Sequence, residues 1–480
     1  MVTFDKLFAI SDLHIGGTAG RRAFREGNEL AWLIQHITTD QPTLRVGLLL
    51  NGDIFDFLAD DDAKEFSSDA DRIIRALAGD PELAPIFTAL GSLVASQTRV
   101  LIVQIGNHDI ELALPNAQRA FLECINASNP PAIDRVRFEA SGRGWPCKVA
   151  GRSVLAVHGN ASDPWNAIDQ RGLRAAAAAQ QAGDTPIPEP DANAGTTLVV
   201  RVMNQIKRRF PVVDLFKPEG APLMSVLAAV DAPTSALGLL RAVGRIRAQR
   251  GTLTDLLAAG DAGLDIFEGP PKDIVDFLES LEPPTSAAED RLQRAEENLR
   301  ARRSPRDLVE DDSAQLGSLT EVATTRLHLI SSWFKDKVGQ PRLTSLRLAL
   351  ARWLRDDETF DPRQASAIDK RIVGSASPGI EVVIAGHTHL PRELKDNGVI
   401  YLNTGTWMRI LKLHGSSYLR SDAEFEPFFA AVTTGNLSDI DNLSLDPRQR
   451  PVAVVDETTA RLFSVAAERK LVELLPGGGP

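Results

Sequence analysis

The sequence predicts an α/β protein, and three observations point to that fold class. Short runs rich in valine, isoleucine and leucine recur within residues 1–162, and each run ends at turn-forming residues. Stretches with helical spacing lie between these runs. The strand-like pattern returns after residue 377. Buried strands that alternate with helices are typical of a sheet whose faces are covered by helices.

Strands are expected wherever these short apolar runs occur. The predicted strands are residues 7–10, 46–50, 100–105, 154–157, 380–385 and 399–402, with a final hairpin of residues 452–455 and 461–465. Helices are expected between them, for example at residues 29–38 and 70–77.

Residues 163–377 differ in character from the rest of the chain, because they are rich in alanine, leucine and arginine. Leu346, Leu350 and Trp353 recur at i, i+4 and i+7, which predicts one apolar helix face. Further helices are expected at residues 170–181, 197–209, 235–250, 287–303 and 324–337. We therefore expect an α/β core of residues 1–162 and 378–475, a large, mostly helical insert of residues 163–377, and a flexible tail of residues 476–480.

The composition argues against several classes of protein. The 480 residues carry a formal net charge of −11, which is unlike a protein whose main task is to grip nucleic acid. Two cysteines cannot form a disulfide framework. The N-terminal segment shows no signal-peptide pattern, and no apolar run reaches the length of a membrane span. We expect a cytoplasmic protein without a membrane span.

Polar side chains gather at the ends of the predicted strands. The carboxyl ends of strands form the crevice in which an open α/β sheet binds its ligands. Five of the eight histidines fall in these groups. The groups are Asp12 and His14, Asp53, Asn107 and His108, His158, and His387 and His389.

The donor atoms of these groups predict a site for divalent metal ions. All the candidate ligands offer nitrogen or oxygen and none is a cysteine, which favours manganese, iron or zinc over a soft metal. A carboxylate such as that of Asp53 can bridge two cations with its two oxygens. Two metal ions about 3.5–4 Å apart can clamp a phosphoryl group and lower the pKa of a bound water.

These residues resemble the calcineurin-like metallophosphoesterase superfamily. The motifs of that superfamily are D-x-H, GD, GNH followed by D or E, H, and GHxH, in this order. This chain has Asp12-Leu13-His14, Gly52-Asp53, Gly106-Asn107-His108-Asp109, His158 and Gly386-His387-Thr388-His389. The resemblance covers the core and leaves the insert out.

The resemblance implies a two-sheet αββα sandwich and a role for each motif residue. Asp12, His14 and His389 would hold one ion, with manganese preferred and iron or zinc as alternatives. Asn107, His158 and His387 would hold the other ion, and Asp53 would bridge the pair. A metal-bridging hydroxide would attack phosphorus. His108 would protonate the leaving oxygen as general acid, and Asp109 would orient His108.

The substrate class stays open at this point. The stretches SDLHIGG, NGDIFDF, AGHTHLPR and LNTGTW are similar to the UDP-2,3-diacylglucosamine pyrophosphatase branch. That branch usually has His-Gly-Asp where this chain has His158-Gly159-Asn160, and its lid is short. We expect a phosphodiester or pyrophosphate hydrolase whose substrate is a small phosphate ester or a lipid-linked diphosphate. The insert would shape the substrate site.

Two alternatives use the same motifs differently. A metal-dependent nuclease would use the same ions, although the acidic charge counts against nucleic acid as the partner. A non-catalytic scaffold of the same fold would tend to lose ligands or the acid histidine, whereas this chain has a residue of the expected type at every motif position.

Other conspicuous residues have ordinary explanations. We expect His36, His328 and His414 to be surface or packed histidines. Trp165 and Trp407 are expected to pack in the core, with contact to the substrate as the alternative. Two basic clusters of the insert are expected to be solvated and paired with acidic residues, with phosphate binding as the alternative. They are Arg201, Lys207, Arg208 and Arg209, and Arg241, Arg245, Arg247 and Arg250.

Overall fold

The structure is a computed structural model that describes residues 1–59, 62–127, 130–217, 221–230, 341–355 and 357–475. The chain divides into two compact units. The first comprises Met1–Thr196, Phe360–Arg409 and Arg448–Pro480, and the second comprises Thr197–Thr359 and Ile410–Pro447. Several expectations lie outside the described residues: the helices at 235–250, 287–303 and 324–337, His328, the basic cluster from Arg241 to Arg250, and the tail 476–480.

The described strands confirm every strand predicted from an apolar run, with ends shifted by at most a few residues. In chain order they are β1 (Val2–Phe4), β2 (Lys6–Ile10), β3 (Val46–Asn51), β4 (Arg99–Gln104), β5 (Val136–Glu139), β6 (Trp145–Val149), β7 (Arg152–Ala156), β8 (Phe216–Lys217), β9 (Val382–Ala385), β10 (Pro391–Asp396), β11 (Val399–Thr404), β12 (Leu411–Lys412), β13 (Pro451–Val455), β14 (Ala460–Val465) and β15 (Leu471–Glu473).

The described helices separate these strands. They are α1 (Gly27–Thr39), α2 (Ala70–Ala78), α3 (Ala84–Ala95), α4 (Pro115–Cys124), α5 (Pro130–Ile133), α6 (Gln170–Ala182), α7 (Ala194–Leu198), α8 (Asn204–Lys207), α9 (Ala221–Val230), α10 (Arg342–Trp353), α11 (Ala367–Gly374), α12 (Asp422–Thr434) and α13 (Leu437–Asp441). Short 3-10 turns occur at Ile110–Ala113, Asn160–Ser162, Pro211–Leu215 and Ser417–Leu419, and Val199–Met203 forms a π turn.

The first unit contains two mixed sheets. One has seven strands in the order β15-β14-β13-β2-β3-β4-β5, and its strands β2, β3, β4 and β5 run parallel. The other has six strands in the order β1-β6-β7-β9-β11-β10. The carboxyl ends of β2, β3 and β4 therefore lie along one edge of the seven-stranded sheet, and those of β7, β9 and β11 lie along one edge of the six-stranded sheet.

Side chains of the two sheets share one apolar core. On β2, Leu7 and Ala9 enter a buried cluster that also contains Val154 of β7 and Val382 of β9. The alternate residue Phe8 enters a second cluster with residues of α1 and α3. This alternation follows from the two-residue period of a strand, and it requires apolar residues on both faces. The same pattern explains why the central strands read as continuous hydrophobic runs.

Helices cover the outer faces of both sheets. The helices α1, α3, α4 and α6 contribute buried residues to the cluster on the seven-stranded sheet. Helix α11 packs Ile368 and Ile372 against Val383 and Tyr401 of the six-stranded sheet. The predicted α/β class is confirmed, and this layering is compatible with the αββα sandwich that the resemblance implies.

The unit boundaries differ from the expected ones. Residues 163–196 and 360–377, which we assigned to the insert, lie in the first unit, whereas residues 410–447 lie in the second. The physical reason is burial, because Leu173 and Ala176 of α6 join the core beside the seven-stranded sheet. Ile368 and Ile372 of α11 do the same on the other sheet.

The second unit combines helices with a two-stranded parallel sheet of β8 and β12. The predicted apolar face of α10 is confirmed by Leu346 and Leu350, which are both buried. Phe425 and Phe428 of α12 are fully buried. Among the described residues, none of the helices combines the length and the apolar character that crossing a bilayer demands.

Candidate metal centre

Loops that follow five strands meet at one place in the first unit. Backbone hydrogen bonds join these loops directly: the amide of Asp12 donates to the carbonyl of Gly52 at 3.1 Å, and the amide of His14 donates to the carbonyl of Asp53 at 2.9 Å. The amide of Gly386 donates to the carbonyl of His158 at 2.8 Å. Backbone hydrogen bonds alone therefore hold together loops that are far apart in the sequence.

Four of the predicted ligands form a first group of potential donor atoms. Asp12, His14, Asp53 and His389 each offer one atom, and these atoms all lie within 4.8 Å of one another. Nε2 of His14 lies 3.1 Å from Nε2 of His389, which in turn lies 3.4 Å from Oδ1 of Asp12. Nε2 of His14 also lies 3.7 Å from Oδ2 of Asp53.

A second group shares Asp53 with the first. Asp53, His158 and His387 also place one donor atom each within 4.8 Å of one another. Nε2 of His158 lies 3.3 Å from Oδ2 of Asp53. Asn107 is buried next to His108, whose backbone amide donates to Oδ1 of Asp53 at 2.8 Å. Asp53 is thus the carboxylate common to both groups.

The backbone at these ligands adopts an unusual conformation. Asp12, His14, Asp53, His387 and His389 have φ angles of 50°, 47°, 49°, 72° and 62°. Residues other than glycine rarely adopt positive φ, and such strain tends to concentrate at functional sites. Each of the five lies within four residues of the end of β2, β3 or β9.

Glycine is required at two motif positions, because neighbouring side chains lie too close to leave room for a Cβ atom. A Cβ atom on Gly106 would lie 2.1 Å from Oδ1 of Asp53, and one on Gly52 would lie 2.4 Å from Nδ1 of His158. Gly52 also has a φ of +88°. Any larger residue at either position would displace a predicted ligand, which explains on steric grounds why glycine precedes Asp53 and Asn107.

Opposite charges in this site shift each other's pKa values. Burial alone would raise the pKa of Asp53, but His158 and His108 outweigh burial and hold that pKa well below its usual range. Burial alone would lower the pKa of His158, but the charge of Asp53 raises it to about 10. Without a cation, the site therefore favours a proton on His158 beside ionised Asp53. A divalent ion would compete with that proton.

The described residues fit a cation that is bound by nitrogen and oxygen. Nδ1 of His158 is hydrogen-bonded to the carbonyl oxygen of Asn51 at 2.9 Å, so the second ring nitrogen, Nε2, faces Asp53. Oδ1 of Asn107 is buried and has no hydrogen-bond partner among the described residues. Buried polar atoms without partners are rare and call for an explanation, and a metal ion would supply one here.

Asp56 contacts the predicted acid, although it was not among the residues expected from the sequence. Oδ1 of Asp56 lies 3.0 Å from Nδ1 of His108. His108 holds the pKa of Asp56 well below its usual range, although burial alone would raise it. Asp56, His14 and His108 form a third group of potential donor atoms.

Asp109 was expected to orient His108, but its carboxylate is engaged by backbone amides. Oδ1 accepts from the amide of Gly106 at 2.6 Å, and Oδ2 accepts from the amide of Ile54 at 2.7 Å. Burial, together with the nearby charge of Asp53, raises the pKa of Asp109 to about 6. Asp109 therefore ties the loop after β4 to the loop after β3, and Asp56 takes the position beside the ring of His108.

Asp163 is a second carboxylate that the sequence did not single out. It is buried, and its Oδ2 lies 3.0 Å from Nε2 of His387. Its position five residues after His158 offered only a weak signal, because the link to His387 depends on the pairing of β7 with β9 within the six-stranded sheet.

Trp165, Trp407, His36 and His414 contact neighbouring residues in the ways expected of packed side chains. Trp165 and Trp407 are both buried, and Nε1 of Trp407 donates to the carbonyl of Pro451 at 2.9 Å. His36 stacks on Trp32 with ring centroids 5.3 Å apart. Nδ1 of His414 lies 2.5 Å from the carbonyl oxygen of Leu354. In the described basic cluster, Lys207 pairs with Asp214 at 2.6 Å.

No family model matches the sequence, and no curated protein shows a significant match to it. The superfamily assignment therefore stays a prediction from the motifs. The geometry shows that buried and half-buried histidine and aspartate side chains of the first unit are grouped closely enough to hold a metal ion.

Proposed function

We propose that this chain is a phosphoesterase that uses two divalent metal ions to hydrolyse phosphodiester or pyrophosphate bonds. The observation that carries this proposal is the sharing of Asp53 by two separate groups of donor atoms. One carboxylate with two oxygens between two sets of histidines suits a pair of neighbouring cations. A single structural ion would need only one of the two groups.

Each ion would have its own set of residues. Asp12, His14 and His389 would hold the first ion together with Asp53. Asn107, His158 and His387 would hold the second, again with Asp53, and manganese is the ion we prefer for both positions. When bound, such a pair neutralises the charge of a phosphoryl group and lowers the pKa of a bound water.

His108 is the residue of this chain that would move a proton. Its ring stacks edge-on against His14 with centroids 4.7 Å apart, and its side chain is 18% exposed. Nδ1 of His108 contacts Asp56, and we assign the proton transfer to Nε2, the other ring nitrogen. Ionised Asp56 stabilises an imidazolium ring at this distance, and that form can donate a proton from Nε2 to the leaving oxygen.

A general acid at this position favours diesters and pyrophosphates with poor leaving groups. An alkoxide that leaves without a proton is a high-energy product, so proton donation contributes most for such substrates. The acidic net charge of −11 and the ion pair of Lys207 with Asp214 give no support to the nuclease alternative.

The proposal is tested by metal-dependent hydrolysis with the full chain. The protein is stripped with a chelator, reloaded with Mn²⁺, and assayed with bis-aryl and mono-aryl phosphates. Asp53→Asn should lower kcat/KM for the diester by at least about 100-fold. Removing a residue that only hydrogen-bonds to a metal ligand typically lowers metal affinity or activity by about 10–100-fold, and loss of a ligand should cost more.

The matched control is Asp169→Asn. Asp169 accepts from the amides of Arg171 and Gly172 at the start of α6 and contacts no predicted ligand in the described hydrogen bonds. It should retain wild-type activity. Diester hydrolysis that survives Asp53→Asn, or that is absent with Mn²⁺, Fe²⁺ and Zn²⁺ alike, would refute the proposed function.

A further inference from the structure

The carboxylate of Asp163 is buried and fully engaged beside a predicted metal ligand. Asp163 follows the turn Asn160–Ser162 and is 1% exposed. Its Oδ2 lies 3.0 Å from Nε2 of His387 and accepts from Nδ2 of Asn166 at 2.6 Å. Its Oδ1 accepts from the backbone amide of Trp165 at 2.9 Å. Both oxygens are therefore fixed by the protein.

This contact selects one form of the His387 ring. An ionised carboxylate can only accept hydrogen bonds, so the ring nitrogen that faces Asp163 must carry a proton. With a neutral ring, the lone pair then belongs to Nδ1. His387 is one of the three residues in the second group of donor atoms, together with Asp53 and His158.

His158 is fixed in the opposite way. Its Nδ1 is hydrogen-bonded to the carbonyl oxygen of Asn51, so Nδ1 carries a proton, and Nε2 is the nitrogen that would bind a cation in exchange for its own proton. A buried acceptor therefore fixes the tautomer of each of these two histidines. Nε2 of His387 donates to Asp163, and Nδ1 of His158 donates to the carbonyl of Asn51. A ring that is held in one tautomer and one orientation is a better metal ligand than a free one.

We propose that Asp163 is a positioning residue of the second metal position, which acts by holding His387 in the tautomer whose Nδ1 binds the cation. This inference rests on the proposed function, because it assumes that the second group of donor atoms binds an ion.

Packing around Asp163 holds its turn in place against His387. Gly159 has a φ of +125°, and a Cβ atom there would lie 3.1 Å from Cβ of His387. Nε of Arg371, on α11, donates to the carbonyl of Ser162 at 2.8 Å. The segment from Gly159 to Asp163 is thereby fixed between α11 and the loop that carries His387. The carboxylate of Asp163 does not depend on a flexible loop for its position.

Mn²⁺ titration of the chelator-treated full chain tests the proposal. Equilibrium dialysis gives the two dissociation constants, and electron paramagnetic resonance distinguishes a coupled ion pair from a single ion. We expect Asp163→Ala to weaken binding of the second Mn²⁺ by about 10–100-fold and to leave the first within about threefold, since the first group contains neither His387 nor His158. The coupled spectrum should give way to that of an isolated ion.

Asp163→Asn is the conservative variant, because its amide oxygen can still accept from His387 while the charge is lost. It should bind the second ion with an affinity between those of wild type and Asp163→Ala. Asp169→Asn removes a carboxylate of the same region that caps α6, and it should bind both ions as the wild type does.

The outcomes separate this inference from the function on which it rests. Wild-type affinity for the second ion in folded Asp163→Ala and Asp163→Asn would overturn the role of Asp163 and leave the proposed function standing. A wild-type chain that binds no second Mn²⁺ would overturn both. If Asp163→Ala does not fold, circular dichroism will show this, and Asp163→Asn then decides the question by the same criterion.

Discussion

Nδ1 of His108 lies 3.0 Å from Oδ1 of Asp56, and Oδ2 of the same carboxylate lies 3.4 Å from Nδ1 of His14. One side chain therefore contacts both the proposed general acid and a proposed metal ligand. Because Asp56 is only 13% exposed, both contacts are shielded from water. A change at Asp56 should affect the orientation of the acid first and the first metal position second.

Asp56→Asn should lower kcat for a diester by about 10–100-fold, the usual cost of losing a residue that orients a functional group. The decisive variant is the double substitution with His108→Ala, because residues that act as a unit give non-additive losses. We expect the double variant to be no slower than His108→Ala alone when kcat is measured at saturating Mn²⁺. If the double variant instead shows the product of the two single losses in kcat, Asp56 acts mainly through His14. A lower Mn²⁺ content of Asp56→Asn, measured in parallel, would support that explanation.

His108→Ala should impair substrates according to their leaving groups. Donation of a proton by a general acid contributes about 10²–10⁴-fold when the leaving group needs that proton. We expect a loss of this size for diesters with alkyl leaving groups and a much smaller loss for nitrophenyl diesters. A plot of log kcat/KM against leaving-group pKa should therefore be steeper for the variant. The control is His36→Ala on α1, where the ring stacks on Trp32. Equal losses for all leaving groups would remove His108 from the acid role.

The strands and the strand-end positions of the candidate ligands were predictable because both are signalled locally. An apolar run followed by aspartate, asparagine or histidine places its polar residue at a strand end, and parallel pairing of β2, β3 and β4 then brings the strand ends together. Strand β6 was not predicted because it lacks such a run and contains Pro146. Its pairing with β1 and β7 depends on tertiary structure.

The partners of the candidate ligands were harder to predict than the candidates themselves. Asp56 and Asp109 are both close in sequence to motif residues, and nothing in their spacing tells which one faces the ring of His108. The structure separates them by geometry: Asp109 accepts from the backbone amides of Gly106 and Ile54, which leaves Asp56 beside His108. Asp163 lies 224 positions from His387, and only the meeting of β7 and β9 brings the two together.

Gly106→Ala should empty the metal centre while Gly374→Ala should not. The methyl group at position 106 would lie 2.1 Å from Oδ1 and 2.5 Å from the backbone nitrogen of Asp53, so the shared carboxylate must move. At Gly374, which ends α11, a methyl group meets nothing within 4 Å. We expect Gly106→Ala to retain less than one Mn²⁺ per chain after dialysis and to melt at a lower temperature. Two retained ions in Gly106→Ala would contradict the role of Asp53 as the shared ligand.

Glu111→Gln should stabilise the protein increasingly as the pH rises from 5 to 8. Glu111 is 1% exposed, and burial raises its pKa to about 8 from an ordinary value of 4.5. Between these two values the unfolded chain loses the proton and the folded chain keeps it, so ionisation favours unfolding as the pH increases. In this window the folding equilibrium constant of the wild type should fall by up to about tenfold for each pH unit. Above pH 8 it should stop falling.

The glutamine variant removes this titration and keeps a hydrogen-bond acceptor for the amide of Ser67, which donates to Oε1 of Glu111 at 3.0 Å. Urea unfolding of both proteins at several pH values gives the difference in the free energy of unfolding. That difference should grow with pH up to about 8, whereas the same substitution at exposed Glu468 should give a difference that does not change with pH. A constant difference for Glu111→Gln would mean that Glu111 is already ionised in the folded protein at pH 5. Its carboxylate would then have to be stabilised by a positive charge close to Asp109 and His108, as a bound cation would provide.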